Sequence, residues 1–327
     1  MNIKKTAVIL FQLGGPDSLD AVEPFLYNLF CDPDIIDLPG AFLFRKTLAR
    51  IISSRRAPKV RELYKSIGGA SPILPQTMMQ AESLQASLKN KGVHADVHVA
   101  MRYWHPMTEE VVEKIRKEKV EEVVLLPLYP QYSKVTTGSS VNAWSNAAKK
   151  MNADQIPAKL IESYYDHPMY IAAIVENIQR SLDKVPQDER KNVHLIFSAH
   201  GTPVKLVKDG DPYSIHIQKT YESVIAAGNF GLPHHLCFQS KVGPQRWLEP
   251  SLTQTIKSLA EQKVSHIIVV PIAFVTDHIE TLSEIGIEAR DEAKHLGVKY
   301  FDVMPALIAN EKFISCLTDL VIRKLQN

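Results

Sequence analysis

Cysteine is scarce in this chain: Cys31, Cys237 and Cys316 stand far apart in 327 residues. That excludes a four-thiolate zinc or iron–sulfur centre built from cysteine alone, and the three read as reduced thiols of a cytoplasmic protein. Long apolar runs are missing too, with nothing near the roughly 18 residues a spanning helix needs. Neither charge dominates. Lys+Arg 38 against Asp+Glu 36 leaves +2 with histidine neutral, which gives no global electrostatic case for nucleic acid. What is present is ordinary for a globular protein: hydrophobics make up 45% and charged residues 23%, outside the disordered regime. The length suits two domains and should bury about three quarters of the unfolded surface.

Lys4-Lys5 before the apolar Thr6 to Leu13 mimics a signal peptide, but no small-residue cleavage site follows. Gly14-Gly15-Pro16-Asp17 is turn chemistry, so the segment is expected to be a buried first strand. Strands are predicted at 6–11, 95–100, 123–127, 158–163, 193–198, 234–239, 266–271 and 298–303. Between them, helical periods fall at 75–90, 108–117, 168–182, 212–227, 250–262 and 308–325. Continuous apolar strands such as Val123 to Leu126 suit a parallel sheet covered on both faces. The alternation predicts doubly wound α/β architecture.

The strands divide into two sets of four that resemble each other. Ala7 to Pro16 matches His194 to Pro203 in pattern, and Val123 to Pro127 matches Ile267 to Pro271. This implies a duplication: two Rossmann-like lobes with parallel four-stranded sheets and a cleft between them. The first lobe is placed at 1–160, with a C-terminal helix at about 305–327 packing back on it, and the second at 161–304. Leu13 and His200 then occupy equivalent strand ends, where ligands bind in open α/β sheets.

His200 precedes Gly201-Thr202-Pro203, a turn that presents its imidazole at a sheet edge. After the strand at 266–271 come Asp277, His278, Glu280, Glu284 and Glu288. The three glutamates are spaced by four, which on an α-helix makes one acidic stripe with neighbours roughly 6 Å apart. For most helices such a stripe is a solvated face. His278 and Glu280 share a face only in extended chain or a widened turn, and a π-bulge is one such device. Imidazole plus carboxylate suits borderline divalent cations such as Fe²⁺. Two or three such ligands with open positions suit a metal that must leave.

At these residues the chain resembles the ferrochelatase family, whose members insert Fe²⁺ into a porphyrin. The resemblance runs over nearly the whole length. Its motifs are Leu13 to Pro16, Tyr64 with Ile67 to Pro72, Met101 to Pro106, Leu126 to Ser133 with Thr136 to Ser140, and Ser198 to Gly201. Gln239 to Pro244, Trp247 and Asp277 to Leu282 complete the set. It implies a metal-site pair, His200 and Glu280, with Asp277 and His278 supporting and Glu284 and Glu288 as a path for cations or protons. Arg102 and Tyr103, with Ser71 and Ser133, would bind the propionates; arginine's planar fork suits a carboxylate. Tyr132 also falls among the substrate-binding residues, and Leu13 and Trp247 would form apolar walls. Fe²⁺ enters as substrate, without an organic cofactor, and the chain would act as a monomer.

Some positions depart from the family pattern. Ser283 stands where many relatives have tyrosine, and Gly286 where many have an acid. Lys134 stands where cluster-bearing relatives place a cysteine, so no iron–sulfur cluster is expected. Gln12 replaces a common asparagine, for which we have no physical account. From Phe25 to Phe44 the chain is rich in large apolar residues, and Arg45, Lys46, Arg50, Arg55, Arg56, Lys59 and Arg61 follow before Glu62. A core helix with a solvated basic face is one reading. The other is an apolar lip with a basic collar in 25–61, making weak peripheral contact with anionic membranes.

Leu13 bears on the substrate. Coproporphyrin III ferrochelatases carry tyrosine at this position, so leucine points to protoporphyrin IX and protohaem, the last step of haem synthesis. Rivals are the coproporphyrin enzyme, a cobalt or nickel chelatase acting on an earlier tetrapyrrole, and a two-lobed haem or metal carrier.

Overall fold

A computed structural model describes residues 4–35, 44–241 and 245–326. The predicted apolar segments form eight strands. They are β1 (Thr6–Gln12), β2 (Ala95–Met101), β3 (Glu122–Pro127), β4 (Ala158–Leu160), β5 (Val193–His200), β6 (His234–Gln239), β7 (His266–Pro271) and β8 (Tyr300–Val303). β4 and β8 are shorter than predicted because only part of each apolar run reaches its neighbour. Every pairing is parallel. The strand orders are β2-β1-β3-β4 and β6-β5-β7-β8, the same arrangement twice.

The chain divides into two compact units, Met1–Ser163 with Ile314–Asn327, and Tyr164–Phe313. In the first, β1 is buried along its whole length. Ala7, Ile9 and Phe11 pack with Val111, Val112 and Ile115 of the helix Thr108–Lys117, and with Trp144. In the second, Ile196 and Cys237 pack with Leu252, Ile256 and Leu259 of the helix Leu252–Glu261. Burying each such side chain stabilises by about 1.5–3 kcal/mol, which explains why two central strands without polar alternation are tolerated.

The duplication has a register. Phe11 pairs with Pro127 and Ser198 with Pro271, each proline closing its strand. The next amides repeat the match: Leu128 N–H donates to Phe11 O, and Ile272 N–H to Ser198 O. Counting forward from Phe11 and Ser198, Leu13 and His200 are equivalent.

Helices differ from expectation in three places. The stretch from Phe25 to Phe44 is not one helix: Val22–Cys31 ends before Asp32, while Ile36, Leu38, Phe42 and Leu43 lie outside the described residues. The helix Arg45–Ser66 escaped the periodicity search because its buried face is largely small or polar, Ala49, Ser53, Ala57 and Tyr64. The acidic stripe is not α-helical either. Glu280–Ala289 is a π-helix, whose i→i+5 bonding widens each turn slightly beyond four residues, so residues four apart still fall near one line along it.

Candidate active site

The second unit gathers the titratable residues at the carboxyl end of its sheet. His200 closes β5, and its Nδ1 lies 2.9 Å from Glu280 Oε2 at the start of the π-helix. Their side chains are 38% and 23% exposed, so both can be reached by a substrate. His278 is buried, with its Nε2 3.7 Å from the same oxygen and its ring centroid 4.3 Å from that of Phe274. That distance is an electrostatic contact rather than a hydrogen bond, and neither ring nitrogen of His278 has a hydrogen-bond partner among the described residues. Asp277 is half-buried. Thr281 Oγ1 accepts the His278 N–H at 3.0 Å and lies 3.2 Å from Asp277 Oδ1, which pins the turn leading into Glu280.

The electrostatics follow from this geometry. Burial alone would lower the His200 pKa, but the Glu280 carboxylate outweighs it, and the imidazole's pKa is raised above its ordinary value. For Glu280, burial pushes upward, while His200 and then His278 hold the carboxyl well below the usual range. Glu280 therefore stays ionised, and its charge strengthens the affinity of the imidazole for a proton. Tyr213, at the start of the helix Tyr213–Gly228, touches the His200 backbone; burial and the Glu280 charge raise its pKa, keeping the phenol neutral. Trp247 is half-buried and bridges Pro203 as an isolated β-pair. A Cβ on Gly201 would approach its ring to 3.4 Å, so the indole packs directly after His200.

Glu284 accepts the Ser240 N–H at 2.8 Å and its Oγ–H at 2.5 Å, so both carboxylate oxygens are engaged. Burial leaves its pKa raised despite those donors. Glu288 is exposed. Val242, Gly243 and Pro244 lie outside the described residues.

The first unit carries the other predicted residues, in a different state from the expected one. Asp32 is fully buried, and its Oδ2 accepts from Tyr103 Oη at 2.5 Å, Ser139 Oγ at 2.5 Å and Arg102 Nη2 at 2.9 Å. Arg102 Nε also donates to Ser139 Oγ at 2.7 Å. Tyr103 is wholly buried, and burial followed by the Asp32 charge raises its phenol pKa. Its hydroxyl donates to Asp32, while Arg102 keeps 20% of its side chain exposed. Ser71 and Ser133 are buried: Ser71 N–H donates to Pro16 O at 2.8 Å, and Ser133 Oγ caps the π-helix Lys134–Gly138 through the Val135 N–H. Tyr132 and Leu13 are half-buried. Lys134 is exposed at the start of that π-helix.

Sequence reasoning missed Asp32, Ser139 and Tyr213 as individual groups. Asp32 sits in a turn in which Asp34 N–H donates to Asp32 Oδ1 at 2.9 Å. No spacing rule connects it to Ser139. Among the described residues, no group of three or more His, Cys, Asp or Glu side chains is arranged to hold a metal.

Paired four-stranded parallel sheets of this order define a chelatase-like fold. SirB from Bacillus subtilis, solved with Fe³⁺, aligns over 98% of this chain and 95% of its own with a TM-score of 0.54 at 11% identity. Sirohydrochlorin chelatase SirB from the subspecies spizizenii, in complex with cobalt, aligns over 99% and 96% with the same score at 9%. The likeness to both is one of fold. Sequence comparison gives the family: residues 5–325 match the ferrochelatase family model. The ferrochelatase of Aquifex aeolicus is 47% identical over 318 residues, covering 97% of this chain and 98% of that protein. That of Geotalea daltonii is 44% identical, covering 97% of each. The chain belongs to the ferrochelatase family.

Proposed function

We propose that the protein inserts Fe²⁺ into protoporphyrin IX, releasing two protons and giving protohaem. The observation that carries this reading is the His200–Glu280 pair, 2.9 Å apart and open to substrate at the end of a central strand. Metallation must take two protons from pyrrole nitrogens. A bent macrocycle exposes their lone pairs, and remote contacts to the ring can offset its strain. The imidazole of His200, its proton affinity raised by Glu280, is the acceptor for a pyrrole proton. Glu280 stays anionic beside it and either attracts the dication or passes protons outward. Trp247 and Leu13 offer apolar surface to the ring, and Arg102 its remaining N–H groups to a propionate.

Leu13 supports protoporphyrin IX over coproporphyrin III. It sits at the strand end equivalent to His200 and brings no phenolic oxygen. Two further carboxylates would also need partners, since unpaired buried charge costs several kcal/mol, and Arg102 is already engaged by Asp32. The helix Arg45–Ser66 supports contact with an anionic bilayer: Phe44 and Ile51 are 68% and 43% exposed beside Lys46, Arg50, Arg55, Arg56 and Lys59. No helix among the described residues is long and apolar enough to cross a membrane.

The test is anaerobic incubation with Fe²⁺ and each porphyrin, following loss of free-base fluorescence. Multiple turnovers with higher kcat/KM for protoporphyrin IX are expected, and His200→Ala should abolish them while porphyrin still binds. Loss of one equivalent only would favour a carrier, and a preference for coproporphyrin III would overturn the Leu13 argument.

A further inference from the structure

Glu280 has another neighbour. Gln239 closes β6 and pairs in register with His200; its side chain is buried. Ser198, fully buried two residues before His200, donates its Oγ–H to Gln239 Oε1 at 2.6 Å. A hydroxyl can donate or accept, so it does not orient an amide by itself, but the Glu280 carboxylate only accepts, so the amide end that faces it is the NH₂. Gln239 Nε2 lies 3.4 Å from Glu280 Oε2, which leaves Oε1 to the Ser198 hydroxyl. The Gln239 backbone carbonyl is fixed as well, accepting the Gly201 N–H at 2.8 Å.

Three nitrogens therefore converge on one oxygen. His200 Nδ1, Gln239 Nε2 and His278 Nε2 lie 2.9, 3.4 and 3.7 Å from Glu280 Oε2. Oε1 has no hydrogen-bond partner among the described residues. A carboxylate held only by His200 could swing about its χ angles and exchange its two oxygens; a second donor from the adjacent strand removes that freedom. We infer that Gln239, oriented by Ser198, is a positioning residue that fixes Glu280 with Oε2 toward His200 and Oε1 free to meet iron or carry a proton. The inference rests on the role proposed above for Glu280. It adds a chain, Ser198 to Gln239 to Glu280, that reaches the reacting groups through the sheet rather than through the π-helix.

The test replaces the amide with an unbranched apolar chain of similar length, Gln239→Met, and separately frees the amide with Ser198→Ala. Each is measured beside the parent and His200→Ala under anaerobic Fe²⁺. Gln239→Met should lower kcat at least tenfold and raise the KM for Fe²⁺, while porphyrin affinity by fluorescence quenching stays within twofold. Ser198→Ala should show the same split with a loss of threefold or more. A structural role alone would move porphyrin affinity and thermal midpoint together, without separating the two substrates. Folded Gln239→Met with kcat and iron KM within twofold of the parent overturns the inference. If that variant does not accumulate, unchanged kcat in Ser198→Ala overturns it instead. Activity retained by His200→Ala would be a failure of the proposed site, separable from either result.

Discussion

Asp32→Asn should destabilise the first unit by about 3 kcal/mol, although the substitution changes one atom. The carboxylate is wholly buried, and three side-chain donors converge on Oδ2. With the amide oxygen at the Oδ2 position the three donors keep an acceptor, but the NH₂ then faces the Asp34 N–H that donated to Oδ1 at 2.9 Å; in the reverse orientation the NH₂ faces all three side-chain donors. Removing one partner from a buried ion pair costs about 3–5 kcal/mol because the other charge is stranded. Arg102 is 20% exposed and can hydrate in part, which places the expected value at the low end. For a unit of this size, 3 kcal/mol corresponds to roughly 6–12 °C in midpoint. Urea unfolding followed by tryptophan fluorescence measures it, with Trp104 and Trp144 in the first unit and Trp247 in the second. Tyr103→Phe, which removes one charge-assisted donor, should cost about 1.5–3 kcal/mol. A loss below 1 kcal/mol in Asp32→Asn would show that the carboxylate is not the anchor of this cluster.

Gly15→Ala should destabilise by about 1–3 kcal/mol, because its Cβ would come within 2.6 Å of Ser71 Cβ and 2.5 Å of Ser71 Oγ. Thermal midpoints of the single variants and of Gly15→Ala/Ser71→Gly should show a favourable coupling of 1 kcal/mol or more; simple additivity would refute the contact. Stability should fall on acidification from about pH 7 to 5, with a share from His98. Burial, then Lys114, lowers its pKa below 6.5. The unfolded chain thus binds more protons in the window between the folded pKa and 6.5. His98→Gln should flatten that slope in denaturant titrations, and an unchanged slope would refute the assignment.

Strands were the most legible part of this chain because burial on both faces leaves no alternation to confuse with another element. β1 and β7 read as unbroken apolar runs and are buried at every position. Periodicity failed where the buried face is small, as along Ala49, Ser53 and Ala57, since an alanine or serine stripe carries little hydrophobic signal. It failed differently at Glu280 to Glu288. Spacing by four fits an α-turn and the wider π-turn alike, so it cannot tell them apart; the contacts made here are tertiary, His200 engaging Glu280 and Ser240 engaging Glu284. Asp32 was illegible for the same reason, its partners Tyr103 and Ser139 standing 71 and 107 residues away.

The site was legible where the duplication could be used as a ruler. The two sheets share strand order and the pairing of Phe11 with Pro127 and Ser198 with Pro271. The same backbone therefore offers two equivalent strand ends, and side chains alone distinguish them. One ends in Leu13, whose N–H is taken by Gln12 Oε1 and whose carbonyl accepts from Tyr103 N–H; nothing at that position can titrate. The other ends in His200, flanked by Gln239 on the neighbouring strand and by Glu280 on the following helix. An apolar end suits contact with a macrocycle, and an ionisable end suits proton transfer. On the function proposed above the reaction uses both, and an ionisable group at the apolar end would be an unpaired charge against the ring. Divergence of two copies on one scaffold meets that requirement while leaving the buried strands, and their stabilisation, alike.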